Sequence, residues 1–176
     1  MSGQERTAAG WLSPLCVVVC CISFPARALP TQTFQVTASV VNGCVISGTN
    51  TGVFGTLNFG TRPGVGSASA SASFVQSSTI TLACTPGTAL SMSVNGGSNY
   101  SSTRNLKIAN NTDLVAYALY TSASASAASA IPVNQNVALT YSNANNITLP
   151  IYGRLQTSGV RRAGTYSDTL TVTLSW

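Results

Sequence analysis

Apolar side chains in this chain recur with period two, and nowhere do they hold a helical period of useful length. The clearest run is the last one. Leu170, Val172, Leu174 and Trp176 share a face with Tyr166 and Asp168, while Thr169, Thr171, Thr173 and Ser175 line the other. Successive side chains of a strand point to opposite faces, so this pattern predicts a half-buried β-strand. The same alternation appears early in the chain, where Phe34, Val36, Ala38 and Val40 are interleaved with Gln35, Thr37 and Ser39. Between them lie further strand candidates: FGTLNFG at 54–60, STITLAC at 78–84, ALSMSV at 89–94, RNLKIAN, LVAYALYTS, PVNQNVALTY and ITLPIYGRL, with Gly, Asn, Ser and Pro in the breaks. Two tracts, SASASAS at 67–73 and SASASAASA at 122–130, lack any large apolar residue to anchor a helical face. They are assigned to exposed loops or plain strand edges. The expected class is all-β.

The first 28 residues differ from the rest. Arg6 stands in a polar lead, residues 11–24 form an apolar run, and Ala26, Arg27 and Ala28 give the small-x-small arrangement of a cleavage site. This predicts a secretory signal peptide at 1–28, since the run falls short of the about 20 residues a membrane span needs. The alternative is a buried N-terminal helix. Cys16, Cys20 and Cys21 would leave with the signal, and Cys44 and Cys84 would remain. In an exported protein such a pair is expected to form a disulfide, the alternative being two free thiols.

The exported part would hold Lys107, Arg62, Arg104, Arg154, Arg161 and Arg162 against Asp113 and Asp168, with no histidine and no glutamate. General acid-base catalysis usually needs a histidine or a pair of carboxylates, and the two aspartates sit in no recognisable motif. No serine has a histidine to activate it. The usual zinc and calcium ligand patterns are missing too, so neither a catalytic site, a metal site nor a cofactor is expected. Scattered arginines without interleaved aromatics do not describe a nucleic-acid partner. The doublet Arg161 and Arg162 is read as a solvated loop.

FQVTASVVNGC, FGTLNFG, TITLACTPGTALSMSVNGG, RNLKIAN, DLVAYALY, LPIYGRL and AGTYSDTLTVTLSW, in this order and with the cysteine pair, resemble the spore coat protein U-like domain family, whose best-known members are subunits of archaic (Csu-type) chaperone-usher pili. The likeness covers essentially residues 33–176 and is greatest to the major rod subunit. It implies an incomplete immunoglobulin-like β-sandwich, completed by a donor strand from a neighbouring subunit or a chaperone. On that basis residues 29–43 are the N-terminal donor-strand segment and 44–176 the pilin domain. Phe34, Val36, Ala38 and Val40 are the donor residues. Leu170, Val172, Leu174 and Trp176 form the terminal strand that borders the acceptor groove and contacts the chaperone.

The run to Trp176 is followed by no hairpin partner, which fits an edge left for another chain. The implied partners are identical subunits joined head to tail in a filament, a periplasmic chaperone, an outer-membrane usher, and tip and adaptor subunits. The implied route is export through the periplasm to a cell-surface pilus that serves adhesion and biofilm formation. The competing expectation is a self-contained secreted coat or binding protein whose first strand fills its own groove.

Overall fold

The computed structural model describes residues 35–48 and 53–176; the expected signal peptide and Phe34 lie outside the described residues. The chain divides into two units, Met1–Ala38 and Ser39–Trp176. Residues 35–38, the described part of the first, carry no regular secondary structure. The second unit is built from β1 (Cys44–Gly48), β2 (Gly55–Leu57), β3 (Ala68–Gln76), β4 (Ile80–Cys84), β5 (Leu90–Val94), β6 (Arg104–Ile108), β7 (Leu114–Tyr120), β8 (Val137–Leu139), β9 (Tyr152–Thr157), β10 (Tyr166–Ser167) and β11 (Val172–Ser175). Its one helical piece among the described residues is a 3₁₀ turn at Ala127–Ser129. The class is all-β, and no helix of the described residues is long and apolar enough to cross a membrane.

Three antiparallel sheets result: β1 with β4, the three-stranded β11-β5-β8, and the six-stranded β10-β6-β7-β9-β3-β2. Alternation decides which side chains turn inward. Ile80, Leu82 and Cys84 of β4, Leu90, Met92 and Val94 of β5, and Val115, Tyr117 and Leu119 of β7 are all buried, while the residues between them are more open. These sheets close on one apolar cluster, against which Leu170, Val172 and Leu174 also pack.

The tract at 67–73 matches the expectation of a plain strand edge: Ala68–Ser73 form most of β3 and pair with β9 on one side, while β2 pairs only with the following Phe74, Val75 and Gln76. The tract's period is two, so the alanines turn inward and the serines outward. Small inward residues leave room for a second layer: a Cβ on Gly153, opposite Ala72, would come within 2.8 Å of Phe59 and Leu57. Phe59 in turn packs on Tyr117, with ring centroids 6.0 Å apart. The second tract, at 122–130, is irregular as expected.

Four segments differ from the sequence expectation. Residues 35–43 form no strand in this chain, and CVISG, which carries no clear alternation, forms β1. In ITLPIYGRL the alternation is right, since Ile147, Leu149 and Ile151 are buried, but the ladder starts only at Tyr152. Pro150 has no N–H to give to a ladder. PVNQNVALTY keeps only Val137–Leu139, its entry bent by Asn134 at φ 58°.

Cys44 and Cys84 are joined by a disulfide across paired strands, with Cα atoms 4.0 Å apart. On the loop-entropy account, closing a loop of this length stabilises the fold by about 4 kcal/mol. Cys44→Ser is therefore expected to lower the free energy of unfolding by about that amount, read from denaturant titration of the purified protein. Ala70→Leu should cost about 1–3 kcal/mol by overfilling the inner face of β3, whereas Ser71→Leu on the outer face should be close to neutral.

Candidate functional site

The C-terminal strand is an edge, since β11 pairs with β5 and with no other named strand. Its register sets Val172 opposite Val94 and Leu174 opposite Met92. Directly opposite residues share a face, and Val94 and Met92 are wholly buried, so Val172 and Leu174 face the core. The main chain points the other way. Thr171 accepts a hydrogen bond from the Asn95 N–H at 3.1 Å, so Thr171, Thr173 and Ser175 turn their peptide groups toward β5. Leu170, Val172 and Leu174 turn theirs to the open edge. The same residues thus offer donors and acceptors with no partner among the described residues, together with half-buried apolar side chains.

A second open edge belongs to β1. The Cys84 N–H donates to Ala144 O and the Ile147 N–H to Leu82 O, both at 2.8 Å, so β4 is occupied on the side away from β1. Cys44 and Ile46, opposite Cys84 and Leu82, therefore direct their own peptide groups away from β4. Ile46 lies on the core face with buried Leu82, yet it is 56% exposed. Cys44, like Leu170, Val172 and Leu174, packs against the common apolar cluster.

The terminal-strand residues expected from the sequence share one edge, although Trp176 at its end is 61% exposed. Of the expected donor residues, Phe34 is outside the described residues, and Val36, Ala38 and Val40 are exposed, Val36 by 82% and Val40 by 85%. Among the described residues no cluster of His, Cys, Asp and Glu is arranged to hold a metal ion.

Sequence reasoning missed what holds the approach to β11. The Tyr117 hydroxyl donates to Asp168 Oδ2 at 2.7 Å. Asp168 Oδ1 accepts from the N–H groups of Asn99 at 3.2 Å and Thr169 at 2.9 Å. Asn95 Oδ1 accepts from the Thr171 N–H at 2.9 Å, and the Ser98 N–H donates to Thr169 O at 3.1 Å. Gly97, at φ 88°, is required here, because a Cβ would collide with the Asp168 carboxylate. Beneath this clamp Arg104 is buried and faces only carbonyls: Nε donates to Asn95 at 2.9 Å, Nη1 to Ile131 at 2.8 Å, and Nη2 to Val94 at 2.8 Å and Pro132 at 3.2 Å. Burial lowers the Arg104 pKa, with Tyr117, Tyr100 and Asp168 acting against that shift. The Tyr117 phenol is pushed well up, first by burial and then by its hydrogen bond to Asp168 and that residue's charge. Nothing in a lone Arg or Asp at 104 or 168 announces such a role. The signal available was the alternation itself, which puts both residues at positions facing inward.

Two outcomes follow from this network. Arg104→Met removes the donor of the Asn95, Ile131 and Pro132 carbonyls, leaves Val94 with the Asn134 N–H alone, and should cost at least about 3 kcal/mol in denaturant unfolding. The second concerns alkaline pH. Tyr117 keeps its proton in the fold above its ordinary value of 10.0, so the unfolded chain releases it first. That contribution is complete below the ordinary value and is lost as pH rises through the raised one. Stability should therefore fall more steeply above about pH 10 in the wild type than in Tyr117→Phe.

Comparison with solved structures finds 11 matching chains, among them the following two. One is in a CsuC-CsuE chaperone-tip adhesion subunit pre-assembly complex from archaic chaperone-usher Csu pili of Acinetobacter baumannii, at 17% identity and a TM-score of 0.40, covering 78% of this chain and 41% of that one. The other is in a chaperone-tip adhesin complex described as vital for synergistic activation of CFA/I fimbriae biogenesis, at 15% identity and a TM-score of 0.38, covering 75% and 41%. The protein thus spans about two fifths of each. No curated protein matches it. Residues 30–173 match the model of the Spore Coat Protein U domain, and the chain belongs to that family.

Proposed function

We propose that this protein is a structural pilin, without catalytic activity, that polymerises by donor-strand exchange into an archaic chaperone-usher pilus. The observation that carries the reading is the free edge of β11, where Leu170, Val172 and Leu174 face the core while their peptide groups remain open to an added strand. An edge of this kind binds by strand addition, with main-chain hydrogen bonds for affinity and alternate side chains for register. The segment at 29–43 is the donor, and its Phe34, Val36, Ala38 and Val40 have the matching alternation. Burying Phe34, Val36 and Val40 contributes about 1.5–3 kcal/mol each, with about 1 kcal/mol net per hydrogen bond.

The strand from a neighbouring subunit replaces one lent by a periplasmic chaperone, at an outer-membrane usher. A head-to-tail contact of this kind does not close, so it builds a filament. The subunit takes its place in the rod behind tip and adaptor subunits, is exposed on the cell surface, and supports adhesion and biofilm formation. The alternative, a self-contained coat or binding protein, needs its first strand buried in its own sheet. The exposure of Val40, within the second unit, speaks against that.

The test is the ladder of heat-sensitive polymers on a gel, run with and without boiling. Deleting residues 31–41 should leave a subunit that folds with its chaperone but gives no ladder. Ala38→Asp should do the same, because an unpaired buried charge costs several kcal/mol, on the order of 3–5. Thr37→Asp, on the opposite face, should retain the ladder. A full ladder from Ala38→Asp together with loss in Thr37→Asp would shift the register by one residue. Full ladders from both would remove the donor role of the segment.

A further inference from the structure

The sparse charges of the second unit are not spread evenly. β3 begins, β9 ends and β6 turns into β7 at one end of the six-stranded sheet, since Ala68 pairs with Thr157 and Lys107 with Leu114. The loop before β3 and the loop after β9 meet there, the Arg161 N–H donating to Gly64 O at 2.7 Å. Arg62 lies two residues from Gly64, and Arg161 and Arg162 are adjacent. Arg162 reaches Asp113 in the β6–β7 turn at 3.3 Å, which leaves the end positive overall. Nε of Arg161 is shielded from solvent and has no hydrogen-bond partner among the described residues. In the same two loops Val65 is 67% and Val160 80% exposed.

We propose that this end of the sheet is a docking surface for an anionic lipid bilayer, with Arg62 and Arg161 meeting headgroup phosphates and Val65 and Val160 entering the interface between them. A second copy of the chain is a poor occupant, because its described side-chain carboxylates are Asp113, already paired with Arg162, and Asp168, held by Tyr117 and Asn99. A sulfated or acidic polysaccharide would meet the arginines but give the valines no apolar contact. An anionic bilayer interface accepts both kinds of side chain, basic groups at its surface and aliphatic ones just beneath. The surface is independent of strand exchange, since β1 and β11 belong to other sheets.

The test is sedimentation of the full chain, purified in its assembled form, with vesicles of phosphatidylcholine alone or with phosphatidylglycerol added. Binding is expected only to the phosphatidylglycerol vesicles, weakening as salt rises. Arg62→Ser combined with Arg161→Ser should lower binding by about tenfold or more, and the two Arg→Lys changes should restore it. Val65→Ser with Val160→Ser should lower it several-fold, while Arg154→Ser on the sheet's face should leave it unchanged. Equal binding by wild type and the double arginine variant overturns the proposal. So does binding of dextran sulfate that matches vesicle binding and ignores the valine changes, which would make the site one for soluble polyanions.

Discussion

A β-strand satisfies its main chain on two sides, and the second unit leaves that requirement unmet at β11. An unpaired edge is ordinarily blunted by a charge, a proline or a bulge. Here it carries none of these: Leu170, Val172 and Leu174 are apolar, and Thr171, Thr173 and Ser175 are small and neutral. With peptide groups and core-facing side chains open at once, the edge is suited to one kind of occupant, an extended chain with apolar residues at every second position. The rest of the unit keeps that edge in place.

Two features do this. On one side the approach to β11 is clamped: Asp168 gathers Tyr117, Asn99 and Thr169, and Asn95 exchanges hydrogen bonds with Thr171. The buried Arg104 anchors the floor of the clamp through carbonyls alone, a costly arrangement unless every donor is used. On the other side Cys44 is tied covalently to β4. A slip of β11 by one residue would turn Val172 and Leu174 outward, and the clamp opposes it. The register is thus set by side chains that lie before β11 or on the strands beside it.

Much of this architecture was legible in the sequence because strand periodicity is a local signal. The inward residues of β4, β5, β7 and β11 follow from counting every second position, and the cysteine pair was expected from reading residues 1–28 as a signal peptide. The Ala/Ser tract of β3 was not legible in that way. Its alternation is present, but small side chains carry little weight as a hydrophobic pattern, and the large apolar side chains Leu57 and Phe59 lie against Gly153 of the paired β9. The Arg104 and Asp168 network was hidden for a related reason: its partners are mostly backbone groups, which every residue possesses and no residue type advertises. At 35–43 the alternation over 36–40 is as regular as in β11, yet the segment forms no strand, and Thr85 bonds only its Val41 and Gly43 carbonyls. Periodicity predicts that a strand will form without saying with which sheet.

The position of the disulfide has a mechanical consequence. Cys44 is the first residue of β1, immediately after the segment at 29–43, and its partner is the last residue of β4. Tension applied along that segment would otherwise reach β1 at its end and peel it from β4 one hydrogen bond at a time, the weakest way to load a sheet. The covalent link passes the pull directly into β4, whose Leu82 and Cys84 are packed in the centre of the unit and whose far side is bonded to Ala144 and Ile147. Load is then shared across many bonds at once, as in shear, and the weakest point of the unit moves away from the residue at which the pull arrives.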